Sequence, residues 1–249
     1  MDGKILLIDI ETAPNLAWVW GKYEQDVISF DQHWYILTFS AKWLGKRAFV
    51  KGLCDYKLYQ PGSEDDSSIV GEIKELLDEA DVVIAHNGAS FDLKKINTRL
   101  TIHGFDPPSP YKIIDTKLVA RRYFGFDSNK LDDLGAQLKL GRKAKHEGFD
   151  MWKGCMLGDK ESWRKMKMYN KQDVLLLEKI YLHFRGWINN HPNMGNFLDK
   201  PCCPKCGCED LQQRGFQYNQ TTKFKRFQCL RCGGWGRTKH NIQKSELLV

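Results

Sequence analysis

The stretch ILLIDIET, residues 5–12, has apolar side chains on both faces of a period-two strand, and only a sheet covered on both sides can bury it. Such a strand calls for helices above and below, and so for a layered α/β domain. The same stretch holds two acids, Asp9 and Glu11, in surroundings where an unpaired carboxylate is costly. Residues two apart in a strand point the same way, so the two carboxylates share a face at the strand's end.

The following segments supply the other layers. After a loop with Pro14, HWYILTFSAKWLG and KRAFVKGL predict a β-hairpin turning near Gly45 and Lys46. PGSEDDSSIV opens a helix through Leu77, with Asp or Ser to cap it, and DVVIAH is a short apolar strand. SFDLKKINTRLTIHG has helical periodicity in Phe91, Leu93, Ile96 and Leu100 and stops at Gly104. YKIIDTKLVARRYF reads as a strand end running into a helix capped by Asp115, and NKLDDLGAQLKLG as a helix ending at Gly141. GRKAKHEGFDMWKGCMLGDK is expected to be a polar loop. A long helix over roughly residues 161–188 places Val174, Leu177, Ile180, Tyr181 and Phe184 on one stripe. A hairpin followed by alternating strands and helices describes an α/β fold, a mixed sheet flanked by helices, whose strand order is not readable.

Two further acids occupy positions suited to a site. HNGASFD puts Asp92 at a helix start directly after a strand, where sheets of this class carry their ligands. YNKQD places Tyr169 and Asp173 four apart on one helix face. Two like charges ~4 Å apart repel by roughly 4 kcal/mol at an effective dielectric near 20, so four converging carboxylates need cations. An all-oxygen set suits Mg²⁺ or Mn²⁺.

DIET, HNGASFD and YNKQD resemble the three motifs of the DEDD superfamily of exonucleases in its tyrosine-bearing branch. The D-x-E motif falls on Asp9 and Glu11, N-x-x-x-F-D on Asn87, Phe91 and Asp92, and Y-x-x-x-D on Tyr169 and Asp173. IIDTKLVARR adds to a likeness with the proofreading domains of family B polymerases over about residues 4–187. The resemblance implies a ribonuclease H-like fold and 3′-5′ hydrolysis of terminal phosphodiesters by two Mg²⁺ or Mn²⁺ ions. Asp9, Glu11, Asp92 and Asp173 would hold the ions, with Asp9 bridging them and Tyr169 orienting the attacking water. Thr12, His86, Asn87 and Phe91 would meet substrate, although His86 and Asn87 could equally brace the strand end. Lys143, Lys145 and His146 would reach phosphate, or belong to a solvated charged loop.

Charge and cysteine mark a second region. The chain carries +7 overall, and from residue 199 onward ten Lys/Arg stand against four acids, leaving +6 there and about +1 before it. CCPKCGC and CLRCGG form two C-x-x-C-G turns; Cys203, Cys206, Cys229 and Cys232 match a structural Cys₄ zinc ribbon, with Cys202 and Cys208 as rivals for the first pair. Basic and aromatic residues alternate between and after the turns, so Lys225, Arg226 and Trp235 are candidates for gripping single-stranded nucleic acid. The expected boundaries are a nuclease-like domain over 1–190, a linker over 191–200, the ribbon over 201–240 and a tail over 241–249.

No run of about 18 apolar residues occurs, and the N-terminus lacks the pattern of a secretion signal, so a cytosolic location is expected. Three functions follow. The first is a DNA exonuclease acting on single-stranded or frayed 3′ ends, with a polymerase or other replication protein as partner. The second is an exoribonuclease or structure-selective nuclease using the same site. The third is a non-catalytic adaptor that binds nucleic acid.

Overall fold

The computed structural model describes residues 3–23, 26–144, 148–198 and 200–244. Two compact units divide it, one over residues 4–180 and the other joining Gly3 to residues from 181 onward.

In the first unit, β1 (Ile5–Thr12) is followed by a small antiparallel hairpin, β2 (Leu16–Trp18) and β3 (Ser29–Gln32). β4 (Ile36–Trp43) and β5 (Phe49–Gly52) make the predicted hairpin, with Gly45 in the left-handed region at φ 81°. Then come α1 (Ser67–Glu79), β6 (Val82–Ala85), α2 (Asp92–Ile102), β7 (Lys112–Asp115), α3 (Thr116–Tyr123), α4 (Leu131–Gln137), α5 (Phe149–Met156) and α6 (Lys160–Phe184). The five-stranded sheet has the order β5-β4-β1-β6-β7: β1 and β4 are antiparallel, whereas β1 with β6 and β6 with β7 are parallel. β1 is therefore central, which is why Leu6, Leu7 and Ile8 are fully buried. Ile69, Ile73 and Leu77 of α1 and Ile96 of α2 join Leu6, Ile8 and Phe39 in the core. This mixed sheet flanked by helices is the α/β architecture expected from the sequence.

The differences from expectation are local. The polar loop before α6 contains α5, held by buried Met151 and Cys155 after Gly148 turns at φ 72°. The segment expected to stay helical to Gly141 leaves its helix at Gln137, because Lys139 at φ 56° reverses the chain and Leu140 N–H closes on Gly135 O at 2.8 Å. α1 starts after Asp66, but that side chain does not cap it. Asp66 is buried, accepting from Arg99 Nη2 at 2.6 Å and Ile36 N–H at 2.7 Å and pairing with His103 Nε2 at 2.5 Å. It ties the starts of α1 and β4 to α2. The β2–β3 hairpin, unseen in the sequence, leaves Trp18 and Trp20 exposed, Trp20 at 92%.

The second unit contains β8 (Leu211–Tyr218), β9 (Thr222–Cys229), β10 (Trp235–Arg237) and β11 (Gln243–Lys244), all antiparallel to β9 where they pair with it. Within this unit the Tyr181 hydroxyl donates to His191 Nε2 at 2.9 Å while His191 Nδ1 donates to Pro192 O at 2.7 Å, which fixes the neutral imidazole.

Candidate metal centres

The carboxylates of Asp9, Glu11 and Asp173 offer oxygens that all lie within 4.8 Å of one another. β1 supplies the first two at the end of the strand, where the register with β4 shifts between Glu11 and Thr12. α6 brings in Asp173 with its carboxylate almost wholly buried. Asp92 opens α2 after the turn that follows β6, and its Oδ1 accepts the Ile10 N–H at 3.1 Å. That bond turns one oxygen of Asp92 toward β1 rather than into the trio. Its charge still acts on Asp9 and Glu11.

The electrostatics follow from this crowding. Burial first, then the carboxylates of Asp92, Glu11 and Asp173, hold the Asp9 carboxyl well above the usual carboxylate range. Burial pushes Glu11 up to about 8, with Asp173 and Asp92 adding to it and the nearby Lys143 ammonium working against it. Asp92 rises to about 6, again through burial, despite the stabilising Ile10 N–H. Asn170 Nδ2 donates to Asp9 Oδ2 at 2.6 Å and fixes that carboxylate's orientation.

Lys143 stands among these groups. Its ammonium lies 2.7 Å from Asp173 Oδ2 and 4.8 Å from the centroid of the Tyr169 ring. Burial lowers its pKa, but Asp173 and Tyr169 outweigh this and raise it above the usual lysine range. Tyr169 is raised to about 12, chiefly by burial, and stacks edge-on against Trp152 at 6.1 Å. An oxygen-only donor set whose protons are tightened by mutual repulsion, and which already draws in an ammonium, fits hard divalent cations.

The flanking residues divide. Both ring nitrogens of His86 are engaged, with Thr116 Oγ1 at 2.9 Å and Asn129 O at 3.0 Å, and burial lowers its pKa to about 4. It braces the β6 end as a neutral imidazole. Asn87 takes a left-handed conformation at φ 67°, its N–H bonded to Asp115 Oδ1 at 2.9 Å. Asp115 also caps α3 through the N–H groups of Lys117 and Leu118. Phe91 is exposed and Thr12 partly buried, its hydroxyl accepting from Lys95 Nζ at 3.0 Å. Lys145 and His146 lie outside the described residues. Asn170, Lys95 and Lys117 are absent from the sequence expectations, and Lys143, expected at a phosphate or in a solvated charged loop, pairs with Asp173. Asn170 sits inside YNKQD, one residue after the tyrosine, and was the most accessible of the four.

In the second unit one sulfur from each of Cys203, Cys206, Cys229 and Cys232 also lies within 4.8 Å of the other three. Cys203 Sγ is 3.6 Å from Cys232 Sγ, and Cys206 Sγ is 3.6 Å from Cys229 Sγ. A tetrahedral ion with ligands at about 2.3 Å separates its sulfurs by about 3.8 Å, so the set fits zinc. Gly207 at φ 71° and Gly233 at φ 68° follow the second cysteine of each turn, and their N–H groups return to Cys203 O and Cys229 O at 2.9 and 3.0 Å. Cys208 points to Asp210 Oδ2 at 3.4 Å, away from the quartet. Lys225 is exposed, and the Arg226 guanidinium lies 4.8 Å from the centroid of the partly exposed Trp235 ring.

The family B DNA polymerase from the hyperthermophilic archaeon Pyrobaculum calidifontis aligns in structure over 89% of this chain and 32% of its own, at 11% identity and a TM-score of 0.48. The PolC-type DNA polymerase III of Ureaplasma parvum serovar 3 is 25% identical over 138 residues, or 54% of this chain, which spans only 9% of that polymerase. The profile of the RNase H superfamily matches residues 31–185, well over half the sequence. The chain belongs to the RNase H superfamily.

Proposed function

We propose that this chain is a metal-dependent 3′-5′ exonuclease that trims single-stranded or frayed DNA ends to nucleoside 5′-monophosphates. The observation that carries the reading is the meeting of Asp9, Glu11 and Asp173 within 4.8 Å, from a strand and a helix more than 150 residues apart. Asp92 and Tyr169 stand beside them, in a chain of a nuclease superfamily.

Asp9, Glu11, Asp92 and Asp173 would hold two Mg²⁺ or Mn²⁺ ions, which when bound supply a polarised water and positive charge at the leaving oxygen. Asn170 would hold the Asp9 carboxylate in place through its 2.6 Å hydrogen bond. Tyr169, with a pKa near 12, keeps its proton at neutral pH and acts as a hydrogen-bond donor that orients the nucleophilic water, not as a base. Lys143, charged at any working pH, steadies Asp173 and Tyr169 and offers its ammonium to the phosphate. Buried acids with raised pKa values keep protons until cations displace them, so loading would release protons and tighten as pH rises.

The four cysteines would bind a structural Zn²⁺. The basic surface of that unit, with Lys225, Arg226 and Trp235, would bind single-stranded nucleic acid. Likeness to a PolC-type polymerase supports DNA as the substrate and a replication protein as the partner.

The test is stepwise shortening of a 5′-labelled oligonucleotide in Mg²⁺ or Mn²⁺, with matched DNA and RNA strands and with 3′ ends blocked. Shortening of DNA from free 3′ ends, lost in Asp9→Ala and Asp173→Ala, is the expected outcome. No shortening of any strand contradicts the reading, and a preference for RNA moves it to an exoribonuclease.

A further inference from the structure

In the second unit β9 pairs with β8, β10 and β11, and its register sorts the exposed cations of that unit by face. Residues directly opposite each other in a sheet share a face, and so do residues two apart along a strand. Arg237 stands opposite Arg226 and Trp235 opposite Gln228, so Phe224, Arg226, Trp235 and Arg237 lie together. Phe216 stands opposite Lys225 and Tyr218 opposite Lys223, which puts both lysines on the other face with Phe227 and Cys229. On that lysine face a Cβ added at Gly236, opposite Phe227, would lie 3.3 Å from Pro204 of the first cysteine turn. The cysteine turn thus covers part of the lysine face, while Arg226, Trp235 and Arg237 remain exposed.

The arginine face holds charge that the fold does not answer. Arg226 and Arg237 are like charges set directly opposite each other, which by itself destabilises a sheet. Arg214 adds a third guanidinium: its Nε donates at 2.9 Å to Oε1 of Gln212, which stands opposite Gln228 on this face. The hydrogen bonds of the three go to neutral oxygens, Gln212 Oε1, Arg214 O and Thr238 O, and among the described residues no carboxylate pairs with any of them. Two of them are also held over rings. The Arg237 guanidinium lies 3.8 Å from the centroid of Phe224, and that of Arg226 lies 4.8 Å from the centroid of Trp235. A ring fixes the place of a guanidinium and leaves N–H groups free for an anion.

We propose that this face is where the second unit takes single-stranded nucleic acid, with Arg214, Arg226 and Arg237 meeting phosphates and Trp235 stacking on a base, and that the Lys223–Lys225 face takes none. The inference rests on the nucleic-acid reading of this unit given above and narrows it, since Lys225 drops out. A phosphodiester chain relieves the opposed arginines by bidentate pairing. It also brings flat bases to Trp235, which is 43% exposed, and an acidic peptide brings none.

The experiment is anisotropy of a fluorescein-labelled oligothymidylate with the full, zinc-loaded chain in Ca²⁺, over a range of salt. Arg226→Gln and Arg237→Gln should each weaken binding about tenfold and flatten the slope of log affinity against log salt by about 0.7. Trp235→Ala should weaken it about tenfold with the slope unchanged. Lys223→Gln and Lys225→Gln, which remove the same charge from the other face, should change affinity by less than about twofold. Arg226→Lys and Arg237→Lys keep the charge and should keep the slope; a slope lost in these variants too would make the arginines packing groups and overturn the proposal. Zinc content per chain identifies any variant that fails to fold. Equal losses from the two faces would mean diffuse attraction, and a duplex of the same length bound as tightly as the single strand would deny the stacking role; either sinks this inference. Cleavage of a 5′-labelled strand by the same preparations in Mg²⁺ keeps the outcomes apart. A chain that cleaves while its arginine-face variants bind normally loses this inference alone, and a chain that neither binds nor cleaves loses the nuclease reading as well.

Discussion

Asp9, Glu11 and Asp173 come as close together as the four cysteines do, yet the two clusters stand in opposite relation to the structure around them. The acids sit at the edge of a large apolar core that includes Leu6, Ile8, Phe39, Ile73 and Leu77, all fully buried. That core needs no ion. The acids subtract from its stability, since burial and mutual repulsion hold Asp9, Glu11 and Asp92 above their usual pKa values. In the second unit, Tyr181, Phe184, Ile188 and Met194 are buried ahead of the strands, and among the described strand residues only Phe224 and Cys229 are buried. On the proposed reading the cysteine cluster would serve as the core of the strand-bearing part, so one set of ligands would burden a unit that folds without ions and the other would hold its sheet together.

Zinc removal should break the comparison most visibly. Structural zinc contributes about 10–16 kcal/mol in small domains, so chelation or Cys229→Ser should abolish hydrogen-exchange protection over β8–β10 while leaving it intact in β1, β4 and β6. Loss of protection in the central strands as well would deny the second unit its separate dependence. Next in size is the acid site: Asp173→Asn should lower the cleavage rate by at least about 10³-fold, roughly 4 kcal/mol, measured on a labelled strand. Asp9→Asn should melt no lower than the unsubstituted chain in the absence of divalent ions, because it removes a carboxylate repelled by its neighbours and leaves the Lys143–Asp173 pair in place. Asp66→Ala, by contrast, leaves Arg99 buried without its carboxylate and should cost about 3–5 kcal/mol in denaturant unfolding with the acid site untouched.

The pH dependence sharpens the contrast. Glu11 titrates near 4.5 when unfolded and about 8 when folded, so between those values the folded chain holds the extra proton. Without divalent ions, the stability of the first unit should therefore fall as pH rises from about 4.5 to 8, and the gain on adding Mn²⁺ should grow over the same interval. Calorimetric melting at several pH values checks both slopes. The smallest effect expected is that of Tyr169→Phe, about tenfold in rate with unchanged Mn²⁺ stoichiometry, since it removes one orienting hydrogen bond.

What could be read from the sequence was what repeats locally. The two-faced apolar character of residues 5–12, the hairpin at Gly45, the strand-to-helix step at Asp92 and the paired C-x-x-C-G turns each rest on neighbours a few residues apart. α5 was obscured because glycines and charges dilute a helix of only eight residues. Asp66 looked like a cap because its true partners, Arg99 and Ile36, are about thirty residues away. The same applies at the candidate site. Residue types pointed to Asp9, Glu11 and Asp173, but the contacts of Asn170 with Asp9 and of Lys143 with Asp173 exist only once α6 packs beside β1.

The claim on which the account rests is that the carboxylate cluster binds a pair of hard divalent ions. Electron paramagnetic resonance of Mn²⁺ titrated into the zinc-loaded chain counts them directly. The expected result is two Mn²⁺ per chain at neutral pH, with Asp9→Asn removing both and Cys202→Ser removing neither. Fewer than two ions in the unsubstituted chain, or a stoichiometry indifferent to Asp9, would contradict it.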